Sequence, residues 1–166
     1  MTYDATMGFD MTPPLPVIDR GVSRPVDVSD FIANTFARVQ GVGINFDGEL
    51  NAVKGDSTYI FDRTLRLQGI LQSQSSGGGL DFHPLNRGYN STPLRTRLAF
   101  VASSAPVIDI FDTYCYQKIA SVPIRDPIIG PVRASIRPNG QIVLVGATIR
   151  GVTLVALPDN FTTTCL

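Results

Sequence analysis

At 166 residues, with 43% hydrophobic and 17% charged residues, the chain can bury one core and is too apolar for a disordered segment. Fourteen basic residues balance fourteen acidic ones and no basic block occurs, so nucleic acid is not an expected partner. The longest apolar runs are strand-length, which excludes a spanning helix, and the opening MTYDATMGFDMTPPLP lacks the basic-then-apolar order of a signal peptide.

The kind of charge is more informative than its amount. All acidic residues but Glu49 are Asp, and all basic residues but Lys54 and Lys118 are Arg. Glu and Lys populate helix surfaces, whereas Asp populates turns. With 15 Gly and 12 Pro between runs of Val, Ile, Leu and Thr, the fold class reads as all-β.

In chain order, PVIDRGVSRPVDV (16–28) reads as the second half of a β-unit, and residues 14–35 as a half blade. VSDFIANTF (28–36) is the single helical candidate, capped by Ser29 or Asp30. A meander follows over 41–72, with strands near 42–46, 49–54, 57–61 and 65–71. Its turns are Asp47-Gly48, Gly55-Asp56-Ser57 and Asp62-Arg63-Thr64. The plan repeats over 78–124, with strands near 79–83, 97–102, 107–111 and 116–124 and an insertion at 85–96. A third pass over 131–166 holds VRASIRP, the Asn139-Gly140 turn, QIVLVGAT and GVTLVALP, and leaves DNFTTTCL as a tail.

The repeated stretch is Ile60-Phe61-Asp62 and Ile110-Phe111-Asp112, which aligns in the third pass with Val155-Ala156-Leu157. Its Asp closes a third strand and is expected to accept backbone N–H groups of the next turn, a structural role. Four strands at a period of about forty residues is the signature of β-propeller blades. The chain therefore reads as about three four-stranded blades plus an N-terminal half. As an open arc, the chain is expected to show apolar end faces, such as that of Ile142, Leu144 and Val155, and to self-associate through them; the alternative is closure as a small four-bladed propeller.

The stretch 97–157 resembles the YVTN-type β-propeller repeat, a WD40-like propeller family. Phe100-Val101-Ala102-Ser103 stands for its Tyr-Val-x-Asn strand, and Val107-Ile108-Asp109-Ile110-Phe111-Asp112-Thr113 for its Ile-Asp-x-x-Thr element. Ile119-Ala120-Ser121-Val122-Pro123-Ile124, Gly130-Pro131-Val132 and Pro138-Asn139-Gly140 complete the pattern. The resemblance implies a propeller fold, a secreted or cell-surface location (cytoplasmic as the alternative), and a role in binding or scaffolding. Propellers host many activities, so activity must be argued from the site.

For chemistry the residues offer little. Asp81 and His83, at i and i+2 on one strand face, are weak metal candidates, since a catalytic zinc site needs three protein ligands and His83 is the single histidine. Oxygen ligation of calcium by Asp81 with Asp56 or Asp126 has no EF-hand pattern behind it. His83 reads instead as hydrogen-bonded at the end of an inner strand. Neither a nucleophile elbow nor a dinucleotide glycine pattern occurs, so no cofactor is expected. Cys115 and Cys165 read as two unrelated buried thiols, with one disulfide as the alternative.

Candidate contacts for a protein or small ligand are Lys54, Asp56, Arg125, Asp126 and Arg150, in turns and links that open on one propeller face. Arg87, Tyr89 and Arg95 of the insertion form a second patch on the opposite face. Asn90 and Asn160 head sequons that matter only on a glycosylating route. The expected function is a non-enzymatic binding or scaffold module. The alternatives are a propeller-fold enzyme, such as a lactonase-like hydrolase or a quinoprotein-type dehydrogenase, and a partial gene product with no role of its own.

Overall fold

The computed structural model describes residues 41–73, 77–88, 93–163 and 165. The half blade at 14–35, the helical candidate at 28–36, Tyr89 and the sequon at 90–92 lie outside the described residues. Three antiparallel sheets follow one another along the chain. The first is β1 (Gly41–Ile44), β2 (Leu50–Lys54), β3 (Thr58–Asp62) and β4 (Leu67–Leu71), paired in that order. The second is β5 (Leu80–Phe82), β6 (Leu98–Ala102), β7 (Val107–Asp112) and β8 (Gln117–Pro123). The third has three strands among the described residues, β9 (Val132–Ile136), β10 (Ile142–Thr148) and β11 (Gly151–Ala156).

Turn chemistry sets these boundaries. Gly48 and Gly140 sit at φ 74° and 82°, where other residues are strained, and each closes a turn begun by Asp47 or Asn139. The side chains of Asp47 and Asn139 accept the N–H of Glu49 and Gln141. The Ile-Phe-Asp motif proves structural. Asp62 Oδ1 accepts the N–H of Thr64 at 2.8 Å and of Arg66 at 3.0 Å, and Asp112 Oδ1 accepts that of Tyr114 at 2.9 Å. In both copies the pairing register to the outer strand shifts between the Ile and the Phe, a bulge that bends the outer strand at one repeated place.

Successive sheets lie face against face, as blades do. Each blade has an upstream face toward the preceding blade and a downstream face toward the next. Leu50, Ala52 and Ile60 of the first blade meet Leu80, Phe82, Ala99, Val101 and Phe111 of the second. The opposite face of the second blade, with Leu98, Phe100, Ala102, Ile108 and Ile110, meets Val132, Ile142 and Leu144 of the third, and Ala134 and Val155 pack against that core.

Two expectations for the third blade need correction. Val155 pairs with Leu144 as Phe111 pairs with Ala99, so Val155 corresponds to Phe111 and not to Ile110. In a strand a one-residue slip exchanges faces. Ile142, Leu144 and Val155 therefore face the second blade, and the free face carries Val145, Ala147, Val152 and Leu154.

Links and tail tie the blades together. Ile128 of the second link is fully buried against Gly146, where a Cβ would meet the Ile128 side chain at 2.6 Å. At the rim, the Tyr116 ring occupies the space a side chain at Gly69 would need. The tail returns from the third blade to the second. Leu157 donates its N–H to Ile142 O, Phe161 packs on the second seam, the Thr163 hydroxyl donates to Asp112, and Cys165 is bonded to Cys115. The expectation of two unrelated buried thiols is thus overturned. Both are half-buried and linked, because the tail doubles back beneath the turn that carries Cys115.

Candidate functional site

The residues best suited to chemistry are occupied by the fold. Asp81 Oδ2 accepts the Ala134 N–H at 2.7 Å, joining the inner strands of the second and third blades, and Oδ1 accepts the Phe82 N–H. Burial raises its pKa against the opposing pull of those two donors and of Arg133. His83 is 4% exposed, and its Nδ1 accepts the Leu85 N–H at 3.1 Å. Burial, helped by the Arg95 cation, lowers its pKa to about 4, so the ring is neutral at pH 7. This is the hydrogen-bonded histidine that its place at a strand end suggests.

Of the turn and link candidates, the structure gathers three. Arg150 reaches Asp126 at 3.5 Å and Arg125 lies 4.0 Å from the same carboxylate, so the link and the β10–β11 turn meet. The two arginine side chains are 63% and 83% exposed, which makes this a solvated rim cluster. Asp56 is exposed in the β2–β3 turn. Lys54 does not share that face. It follows Leu50 and Ala52 at strand spacing, and its side chain is fully buried between the first and second blades. Its Nζ has no hydrogen-bond partner among the described residues, nor does the Thr58 hydroxyl, its register partner. Burial lowers the Lys54 pKa to about 8, opposed by the carboxylates of Asp56 and Asp109.

In the insertion, the Arg87 guanidinium lies 5.1 Å from the Phe46 ring centroid. Arg95 lines a cavity of about 320 Å³ with Leu94, Leu98, Ile142, Asp159 and Phe161, roofed by the returning tail. Tyr89 cannot be placed with them, since it lies outside the described residues.

Three arrangements escaped sequence reasoning. Arg97 grips buried Asp112 with Nε at 3.1 Å and Nη2 at 2.7 Å and stacks over Tyr114. Asn45, Asn86 and Thr113 form a buried chain, Asn86 Nδ2 donating to Thr113 Oγ1 at 3.0 Å and Asn45 Nδ2 to Asn86 Oδ1 at 3.3 Å. Register would have revealed the first, since Leu98 lies opposite Asp112; no spacing reveals the second. The third is a close grouping of Asp112, Cys115 and Cys165. Its residues do not fit a metal: both sulfurs are held in a disulfide, and the carboxylate already accepts from Arg97, Tyr114 and Thr163.

No family model matches the chain, and no curated protein matches it. Among solved structures it is similar to the Kuenenia stuttgartiensis hydrazine synthase, at 20% identity and TM-score 0.52 over 72% of this chain and 34% of that one. It is also similar to Saccharomyces cerevisiae Sqt1, a WD40-like propeller, at 12% identity and TM-score 0.56 over 75% of this chain and 32% of that one. At such identities the likeness shows fold alone: a partial β-propeller-like arrangement of blade-like sheets. The chain spans about a third of the length of those two structures.

Proposed function

We propose that the chain is a non-enzymatic binding or scaffold module built from YVTN-type blades, working by protein contact through its open blade face. The observation that carries this is the free face of the third blade. Val152 is 75% exposed and Leu154 68%, side by side on a rigid sheet with Val145 and Ala147. A contiguous apolar patch on an ordered scaffold is a docking surface. Supporting it, the groups an enzyme would use (Asp81, His83 and Asp112) each hold a structural hydrogen bond. The Cys115–Cys165 bond supports a secreted or cell-surface setting, where disulfides persist.

The test is a photoreactive amino acid in place of Leu154, activated in the culture that produces the full chain. The expected result is covalent protein adducts that vanish when the label is moved to exposed Asp159. A folded chain that yields no adduct at position 154 overturns the reading.

A further inference from the structure

We infer that the cavity between the insertion and the returning tail binds a free apolar amino acid. Ile142 of this cavity and Leu154 of the open face lie on opposite sides of the third sheet, so the site goes beyond the protein-contact reading.

The cavity caps one end of the second seam. Its floor is Leu98 at the start of β6 and Ile142 at the start of β10, 0% and 6% exposed. Half-buried Leu94 and Phe161 pack against them, and the four side chains carry the apolar core of the seam to the surface. At about 320 Å³ the space is at the small end of the ~300–1,000 Å³ of ligand cavities. It suits a small ligand with one branched or aromatic side chain to bury.

The rim decides what surrounds that side chain. Arg95 comes from the short 3-10 turn of the insertion, Leu94–Thr96, and Asp159 from the tail, and both are exposed. They line one cavity without bridging each other, and the ion pairs of the described residues use neither. The planar fork of Arg95 fits a carboxylate, and the Asp159 carboxylate accepts from an ammonium group. Asn139 uses its side-chain oxygen on the Gln141 N–H, which leaves its amide N–H groups as a further donor at the rim. One cation, one anion and an amide donor above an apolar floor complement a zwitterion with an apolar side chain. A simple acid would bring a second anion beside Asp159, and a simple amine a second cation beside Arg95.

The tail wall is fixed before any ligand arrives. On one side of Asp159 the Leu157 N–H donates to Ile142 O; on the other the Thr163 hydroxyl donates to Asp112 and Cys165 is bonded to Cys115. A wall held at both ends loses little freedom on binding.

The experiment titrates the isotope-labelled full chain with L-leucine and with L-phenylalanine, followed by amide chemical shifts. Saturable shifts are expected at Leu98, Ile142 and Phe161. N-acetyl-L-leucine lacks the ammonium, L-leucinamide the carboxylate and glycine the side chain, and each is expected to bind at least ~10-fold more weakly. Arg95→Gln should weaken leucine binding by ~10-fold and leave leucinamide unchanged. Asp159→Asn should weaken leucine equally and leave N-acetyl-L-leucine unchanged. Both positions are exposed, and the unperturbed remainder of the spectrum verifies the fold. No saturable shift with either amino acid overturns the proposal. N-acetyl-L-leucine binding as tightly as leucine overturns it in favour of a pocket for plain acids. Leucine binding that neither variant weakens places the ligand elsewhere and overturns it too. Capture of a protein at position 154 is read separately, so either reading can fail while the other stands.

Discussion

The seam between the first and second blades and the seam between the second and third use the same strands in the same order, and they are finished differently. At the end of β2 and the start of β3 the first seam buries Lys54 and Thr58, facing Asp109 across the gap. The corresponding positions of the next blade are Ala102 and Ile108, both apolar and buried in the second seam. The second seam is also stitched from outside by Asp81 on Ala134, by the tail on Asp112 and by the Cys115–Cys165 bond. Repetition fixes the backbone frame. Side chains at equivalent positions then decide how firmly each seam holds, and the polar first seam is the weaker.

The largest expected effect lies in the stitched seam. Asp112→Ala removes a fully buried carboxylate and leaves Arg97, 11% exposed, without its partner, while freeing Thr163. Breaking one side of a buried pair costs about 3–5 kcal/mol. Urea unfolding should show a loss of that order, with the tail becoming protease-sensitive; a loss below ~1 kcal/mol would falsify the clamp. Next comes the disulfide. Replacing both cysteines by Ser reopens a loop spanning a sequence separation of 50, for which chain entropy gives about 4 kcal/mol. Hydrogen exchange should rise first in β10 and β11 and leave β1–β4 unchanged. Equal loosening of the first seam would erase the distinction between the two.

A pH effect of intermediate size comes from His83, beside the insertion. Its folded pKa of about 4 lies below the ordinary 6.5, so the unfolded chain binds more protons between those values. Stability is therefore complete above pH 6.5 and is lost as pH falls toward 4, by up to ~3 kcal/mol. His83→Asn retains an acceptor for the Leu85 N–H and removes the titration. Its urea midpoint should vary less than that of the wild type between pH 6.5 and 4. An unchanged slope would place the acid sensitivity elsewhere.

The sequence exposes the strand plan because Asp47-Gly48 and Asn139-Gly140 demand their turns and the Ile-Phe-Asp motif marks a third strand. It does not settle which face of the third blade looks outward. IVLVGAT is apolar on both sides, so alternation carries no inside–outside signal there. With that ambiguity, alignment by pattern sets Val155 against Ile110 where the register sets it against Phe111. Lys54 escapes a reading of the turn for another reason: its neighbour is an exposed turn, yet Leu50, Ala52 and Lys54 alternate onto one buried face. Cys115 with Cys165, and Arg97 with Asp112, meet only after the tail and strands are arranged, and spacing along the chain holds no trace of the first.

The smallest expected effect is also the sharpest test of the first seam. Lys54→Met retains most of the apolar stem and deletes an amine that has no hydrogen-bond partner among the described residues. The folded pKa of about 8 lies below the ordinary 10.5, so both states carry the proton below pH 8 and the buried charge is then fully felt. Between 8 and 10.5 the unfolded chain binds more protons than the folded one, and wild-type stability rises with pH. Asp109 retains the Ser121 hydroxyl at 2.6 Å and Lys118 at 3.7 Å after the substitution, so no carboxylate is stranded. Replacing a poorly paired buried charge by a hydrophobic side chain is neutral or stabilising, here by about 1 kcal/mol at pH 7. The gain should shrink as pH climbs from 8 to 10.5, because the wild-type amine sheds its proton while the variant has none to lose. Urea midpoints for both proteins at pH 7, 9 and 10.5 measure this. A variant less stable than wild type at pH 7 would mean that Lys54 pairs with Asp109 strongly enough to hold the first seam, and the contrast between the two seams would then reverse.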